Sequence, residues 1–131
     1  MKNIKGDTTL EYSNEKEMSM AKPEFDLTIY ELQSEISKTM AHPLRLAILH
    51  CLKSGEKTVN DLTATIGASQ SNVSQHLALM RQRQIVKTRK AGSNIYYRVA
   101  NPKISQACDM VREVLLEQLS QRQEIARSYS P

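Results

Sequence analysis

Serine, glutamine and asparagine crowd one short stretch of this chain, Ser69-Gln70-Ser71-Asn72-Val73-Ser74-Gln75-His76. Their hydroxyls and amides pair donors with acceptors and carry no charge, the chemistry needed to bond base edges in a duplex groove. Seven cations follow: Arg81, Arg83, Lys87, Arg89, Lys90, Arg98 and Lys103. No acidic residue interrupts the run between Asp61 and Asp109. One-signed charge beside an uncharged polar face suits a polyanion whose phosphates are neutralised while its bases are read. The candidate DNA contacts are Ser69, Gln70, Ser71, Asn72, Ser74, Gln75 and His76, then Arg81, Arg89, Lys90, Ser93, Asn94, Tyr96 and Arg98. For His76 a packed position competes with a phosphate contact. Tyr96 and Tyr97 read first as packing of a hairpin, with Tyr96 also able to touch a backbone.

Bond-making chemistry is not indicated. The chain has no Gly-rich phosphate loop, no nucleophile elbow and no metal-ligand cluster, and is too short for a separate catalytic domain, so an enzyme is not expected and no cofactor or metal is called for. A winged module that binds only proteins would have no need of the one-signed charge from Arg81 to Lys103. The other reactive side chains are Cys51 and Cys108. Two readings stand for them: fillers of core or interface space, and a redox pair.

The elements that must position these residues follow from periodicity. Residues 1–22 are polar and lack a sustained period, which predicts a flexible tail with a short helix near Asn14–Met20; residues 23–127 form the domain. Phe25, Ile29, Leu32, Ile36 and Met40 make a first helical stripe. Pro43 opens a second helix over Leu44–Ser54, apolar nearly all round and so expected at the buried centre. Thr58 and Asp61 suit a capping box for a third helix that Gly67 ends. Ser69 caps a fourth, Gln70 to about Gln82, with Val73, Leu77 and Met80 inward and the polar residues outward. Strands Ile85–Ala91 and Ile95–Val99 are linked through Gly92-Ser93-Asn94. Asn101-Pro102 opens a last helix to about Arg127, with Ile104, Cys108, Val111, Leu115 and Leu119 as its stripe. The fold class is mostly α with a β-hairpin wing, a winged helix-turn-helix in the order α-α-α-α-β-β-α.

Bulk properties bound the partners. The chain has 131 residues, 40% hydrophobic and 24% charged, with no Trp and one Phe, so its core must come from Leu, Ile, Val, Met and Ala. So small a core is often supplemented by oligomerisation. The net charge of +4 doubles to +8 in a homodimer. No apolar run approaches the ~20 residues of a membrane span and no signal-peptide core is present, so no membrane partner is expected and the location is cytoplasmic.

Four blocks carry a resemblance. They are Met40-Ala41-His42-Pro43-Leu44-Arg45-Leu46-Ala47-Ile48-Leu49, Val59-Asn60-Asp61-Leu62, Ser69 to Leu77, and Ile95-Tyr96-Tyr97-Arg98-Val99. In order and spacing they resemble the ArsR/SmtB family of winged helix-turn-helix regulators over about Leu27–Leu119. The resemblance implies a homodimeric transcriptional repressor, joined through its first and last helices and released from a duplex operator by an inducer. The sensors of that family are not matched. Thr58-Val59-Asn60-Asp61 stands where arsenic and cadmium sensors carry Cys-x-Cys, and the last helix lacks the His of zinc and nickel sensors. Members that sense reactive sulfur or oxidants use a cysteine pair on the helices that here hold Cys51 and Cys108, but His50 occupies the position of the first thiol. The alternative to an inducible repressor is a regulator that is constitutive or controlled by a protein partner.

Overall fold

The computed structural model describes residues 25–129, so the expected tail and its short helix lie outside the described residues. The chain divides into two units, residues 1–34 and 35–131. The first described helix, α1 (Thr28–Met40), crosses that boundary. It is followed by α2 (Pro43–Leu52), α3 (Val59–Ile66), α4 (Gln70–Gln82), β1 (Val86–Ala91), β2 (Asn94–Val99) and α5 (Pro102–Ser128).

Local chemistry sets most of these boundaries. His42 caps α2, its Nδ1 accepting from the Leu44 N–H at 3.1 Å, and Pro43 occupies a first-turn position where no N–H is needed. At α3 the Thr58 hydroxyl accepts from the Asp61 N–H at 3.1 Å while the Asp61 carboxylate accepts from the Thr58 N–H at 3.0 Å, a complete capping box. Gly67 ends this helix at φ 79°. Ser69 caps α4 through the Asn72 N–H, and Asn101 caps α5 through the Lys103 N–H. The end of α4 carries no glycine. Gln84 adopts φ 62° there, and the Ile85 N–H reaches back to the Met80 carbonyl at 2.8 Å. A left-handed non-glycine residue costs roughly 1–2 kcal/mol, a strain set by the turn into β1.

Nine side chains form the core: Ile48, Leu49 and Leu52 of α2, Leu62 of α3, Val73, Leu77 and Met80 of α4, and Ile85 and Val86 at the start of the hairpin. Ile104 and Cys108 of α5 pack against them only partly buried. The centre therefore lies among α2, α3 and α4, as the periodicity predicts, with one correction. Helix α2 is not buried all round, since Leu46 remains 44% exposed. Helix α5, expected at a dimer interface rather than in the core, has no buried residue, and most of its stripe, Val111, Leu115 and Leu119, faces outward.

The hairpin is antiparallel, pairing Val86 with Val99, Arg89 with Tyr96 and Ala91 with Asn94. Asn94 is therefore the first residue of β2 rather than part of the loop. The turn is the two-residue Gly92-Ser93, with Gly92 at φ 63°, a left-handed value that glycine adopts without strain. Lys57 exchanges backbone hydrogen bonds with Tyr97 at 3.0 and 2.8 Å, pinning the α2–α3 loop to the outer edge of β2.

Candidate nucleic-acid interface

Helix α4 sorts its side chains by phase. Val73, Leu77 and Met80 are fully buried, which fixes the rotation of the helix, and Gln70, Ser71, Asn72, Ser74, Gln75 and Ala78 are exposed. These side chains are short or flexible and uncharged, so the face can approach a groove closely. Ser69 is partly committed. Its hydroxyl caps the helix and lies 3.5 Å from the Ser71 hydroxyl. The remaining first-turn N–H groups and the helix dipole favour an anion at this end.

His76 does not share that exposed face. It is half-buried, its Nδ1 accepts from Arg45 Nε at 3.0 Å, and its ring centroid is 4.4 Å from that of His42. Burial, with the nearby His42 and Arg45, holds its pKa below the usual histidine value. Of its two readings, the geometry matches the packed one.

The wing contributes cations of unequal freedom. Lys90 and Arg98 on the strands and Arg81 in the last turn of α4 are exposed, as are Ser93 and Asn94 at the hairpin tip. Arg89 is held. Its guanidinium makes a forked contact to the Glu56 carboxylate, with hydrogen bonds of 2.9 to 3.2 Å, and lies 4.8 Å from the centre of the Tyr96 ring. The hydrogen bond from Arg89 holds the Glu56 carboxyl below its ordinary pKa, and Glu56 raises that of Arg89 in turn. The acid-free window of the sequence is therefore not acid-free in space. Glu56 enters from the α2–α3 loop, only five residues before that window opens, and the count of charges along the chain missed it.

The two thiols are free and line neighbouring crevices. Cys51 sits with Ser54, Lys57 and Thr65, and Cys108 with Leu49, Ser105 and Arg112, while His50 and Lys53 line both crevices. Burial pushes the Cys108 thiol up, away from the thiolate form. Beside it, Asp109 accepts from Lys53 Nζ at 2.6 Å and from Arg112, tying α5 to the end of α2. Among the described residues, no three His, Cys, Asp or Glu side chains cluster in a way that could hold a metal ion.

Comparison with known proteins decides the class. Residues 42–88 match the model of the bacterial regulatory proteins of the arsR family, and the match spans α2, α3, α4 and the start of β1. The transcriptional regulator Rv0081 of Mycobacterium tuberculosis is 36% identical over 95 residues, covering 72% of this chain and 83% of that protein. The chain belongs to the ArsR family. The crystal structure of Rv0081 superposes with a TM-score of 0.65 at 35% identity, covering 72% of this chain and 96% of that one. The biofilm growth-associated repressor of Xylella fastidiosa is 33% identical over 88 residues, 67% of this chain and 77% of its own length. A homodimeric winged helix-turn-helix DNA-binding domain, Mb0332 of Mycobacterium bovis, shares the fold with a TM-score of 0.68 at 23% identity, covering 79% of this chain and 95% of that one. This ArsR-family chain is thus a transcriptional regulator with the winged helix-turn-helix fold, a DNA-binding class rather than an enzyme class. Among its described residues no helix is long and apolar enough to cross a membrane.

Proposed function

We propose that this ArsR-family regulator is a homodimeric cytoplasmic repressor that reads a partly palindromic operator with α4 and grips its backbone with the wing. The observation that carries the reading is the phase of α4. Its apolar stripe is wholly consumed by the core, which leaves an uncharged hydrogen-bonding edge pointing outward, with exposed cations at the end of the same helix, Arg81, and on the wing that follows it, Lys90 and Arg98. Gln70, Ser71, Ser74 and Gln75 are the base readers of this proposal. Asn72, Ser93, Asn94 and Tyr96 lie close enough in sequence to the readers or the cations to serve the sugar-phosphate backbone.

Dimerisation is supported by the exposed apolar face of α5, where Met110, Val111, Val114, Leu115 and Leu116 are each about half exposed or more. Pairing two copies would hide it, and the fold neighbour Mb0332 is itself homodimeric. Repression is supported by the Xylella relative, whose name is that of a repressor. Release by an inducer belongs to the same reading. Two observations favour the packing role for the thiols over a redox trigger: Cys51 and Cys108 line neighbouring crevices rather than one, and burial raises the pKa of Cys108.

Selection of bound sequences from random duplex DNA tests the proposal. The expected product has two half-sites one or two turns apart, at ~34 Å per turn. Gln75→Ala should relax preference at one position in each half-site. Uniform weakening on all sequences would remove Gln75 from the readers, and a pool without enrichment would overturn the reading. Challenging the bound complex with metals, oxidants and reductants then identifies the inducer class.

A further inference from the structure

We propose that Arg45 and His76 are positioning residues for DNA recognition, holding α4 in its reading orientation through a hydrogen bond that exists only while His76 is neutral. The inference rests on the operator-reading role of α4.

The contact joins three helices. Arg45 on α2 donates through Nε to His76 Nδ1 on α4 at 3.0 Å, and through Nη1 to the carbonyl of Thr39 near the end of α1 at 2.9 Å. Thr39 is buried, with its own hydroxyl bonded to the Glu35 carbonyl at 2.9 Å. The arginine is therefore fixed at both ends of its fork. Its partner His76 directly follows Gln75 and precedes the fully buried Leu77. A side chain on the flank between reading face and core controls how far the helix can roll about its buried stripe.

The hydrogen bond has a protonation requirement. Arginine stays charged throughout the accessible pH range and can only donate. Nδ1 accepts only with a free lone pair, so the proton of the neutral ring sits on Nε2. A second proton would convert the acceptor into a donor and set two cations in contact. The ionisable groups acting on His76 are Arg45 and His42, both on the side of α2. His42 crowds the same side of the ring, its own ring centroid 4.4 Å away. Both groups and the burial of the ring oppose the charged form, so the lock holds at neutral pH and opens on acidification below the ordinary histidine range.

The sign of the effect separates this role from general electrostatics. Acidification adds positive charge to a protein that binds a polyanion, so phosphate attraction alone predicts tighter binding at low pH. The lock predicts weaker binding, and only to the cognate sequence, because sequence-independent binding does not need the reading orientation.

The experiment compares affinity for the selected operator and for a scrambled duplex between about pH 7.5 and about pH 5 at fixed salt. The wild type should lose roughly tenfold on the operator, the worth of one charge-assisted hydrogen bond, and nothing on the scrambled duplex. His76→Gln supplies an amide oxygen that accepts but does not titrate. It should bind the operator somewhat more weakly at neutral pH and lose the acid-dependent fall. His42→Asn keeps a capping oxygen, removes the other histidine and should retain the fall. Operator affinity that is flat or rises on acidification would overturn the inference, as would a fall that survives His76→Gln or vanishes in His42→Asn. Loss of helical signal in parallel with affinity would also overturn it. Independently of any variant, the pKa of His76 followed by NMR in the wild type should be lower in the operator complex than in the free protein; an equal or higher value refutes the lock. Failure to select any operator would instead strike at the DNA-reading role itself.

Discussion

Helices α4 and α5 each carry an apolar stripe, but α4 buries its own completely while no residue of α5 is buried. The contrast separates two kinds of stability. Helix α4 is welded into a core that α2, α3 and the base of the hairpin complete within one chain. Helix α5 is anchored at one end, by Ile104, Cys108 and the Lys53–Asp109 ion pair, and then runs on with its apolar side chains in solvent. One helix has a fixed rotation suited to reading a sequence. The other has a surface suited to a second copy.

The strongest test of the contrast is a truncation in each stripe. Leu77→Ala removes a fully buried side chain from the core and should cost about 2–5 kcal/mol in urea unfolding. Leu115 is 49% exposed, so Leu115→Ala should cost the monomer well under about 1 kcal/mol. Comparable losses at the two positions, measured at a protein concentration where the chain is monomeric, would erase the distinction.

Next in size is the loss of assembly. Leu115→Asp places a charge in the face assigned to the partner and should leave a folded monomer, seen by light scattering at micromolar concentration, with operator binding strongly reduced. Ile104→Asp is the less clean variant, because Ile104 also packs on the core of its own chain and its loss would disturb the fold. A wild-type protein that is monomeric and well folded under the same conditions would take the partner surface away from α5.

The same contrast explains what the sequence could disclose. Where a boundary depends on neighbours in the chain it was legible. Thr58 with Asp61, Ser69 before Gln70, and Asn101 before Pro102 each place a helix start where it is found, and the spacing of Val73, Leu77 and Met80 gives the face of α4 correctly. Features that depend on distant segments were hidden. Periodicity marks Leu46 as core, but only the arrangement of helices determines which apolar side chains find a partner within the chain. The end of α4 has no glycine to announce it: Gln84 itself takes the left-handed turn, which the Ile85 N–H closes on the Met80 carbonyl. The DNA-facing candidates suffered similarly. Along the chain Arg89 counts as a free cation, yet Glu56 lies beside it from 33 positions away, and His76 meets Arg45 across 31. Charge counted along a chain measures composition, whereas the potential at a surface depends on what folds next to what.

The wing offers a finer comparison, between a held cation and free ones. Removing one cation from a phosphate should make the log–log dependence of operator affinity on salt shallower by roughly 0.9. Lys90→Gln should show that change in full. Arg89→Gln should show less, because Glu56 already neutralises that guanidinium in the free protein, and Glu56→Gln should strengthen binding and steepen the slope by releasing it. Equal slopes for Lys90→Gln and Arg89→Gln would mean that the Glu56 ion pair breaks on the duplex without consequence. An unchanged slope in both would mean that neither residue touches DNA.

The smallest effects belong to the thiols, which sit where the two kinds of stability meet. Cys108 lies on the anchored part of α5 against Leu49, and Cys51 occupies another side of α2 with Lys57 and Thr65. A thiol serving as a small apolar filler tolerates a hydroxyl at little cost when half-buried, so Cys51→Ser and Cys108→Ser should each change stability by less than about 1 kcal/mol. Operator affinity should be the same before and after mild oxidant or polysulfide in the wild type and in both variants. The reasoning is geometric as well as electrostatic. A disulfide needs Cα atoms within roughly 4.4–6.8 Å and side chains that point at one another, whereas these two line neighbouring crevices rather than one, and the half-buried Cys108, its pKa raised by burial, resists forming the thiolate that attack requires. Affinity that falls on oxidation in the wild type alone, is kept by both serine variants and is restored by a reductant would reverse this assignment. It would show α2 sliding against the anchored end of α5 far enough to join the thiols, and would make that end of the helix a sensor as well as an anchor.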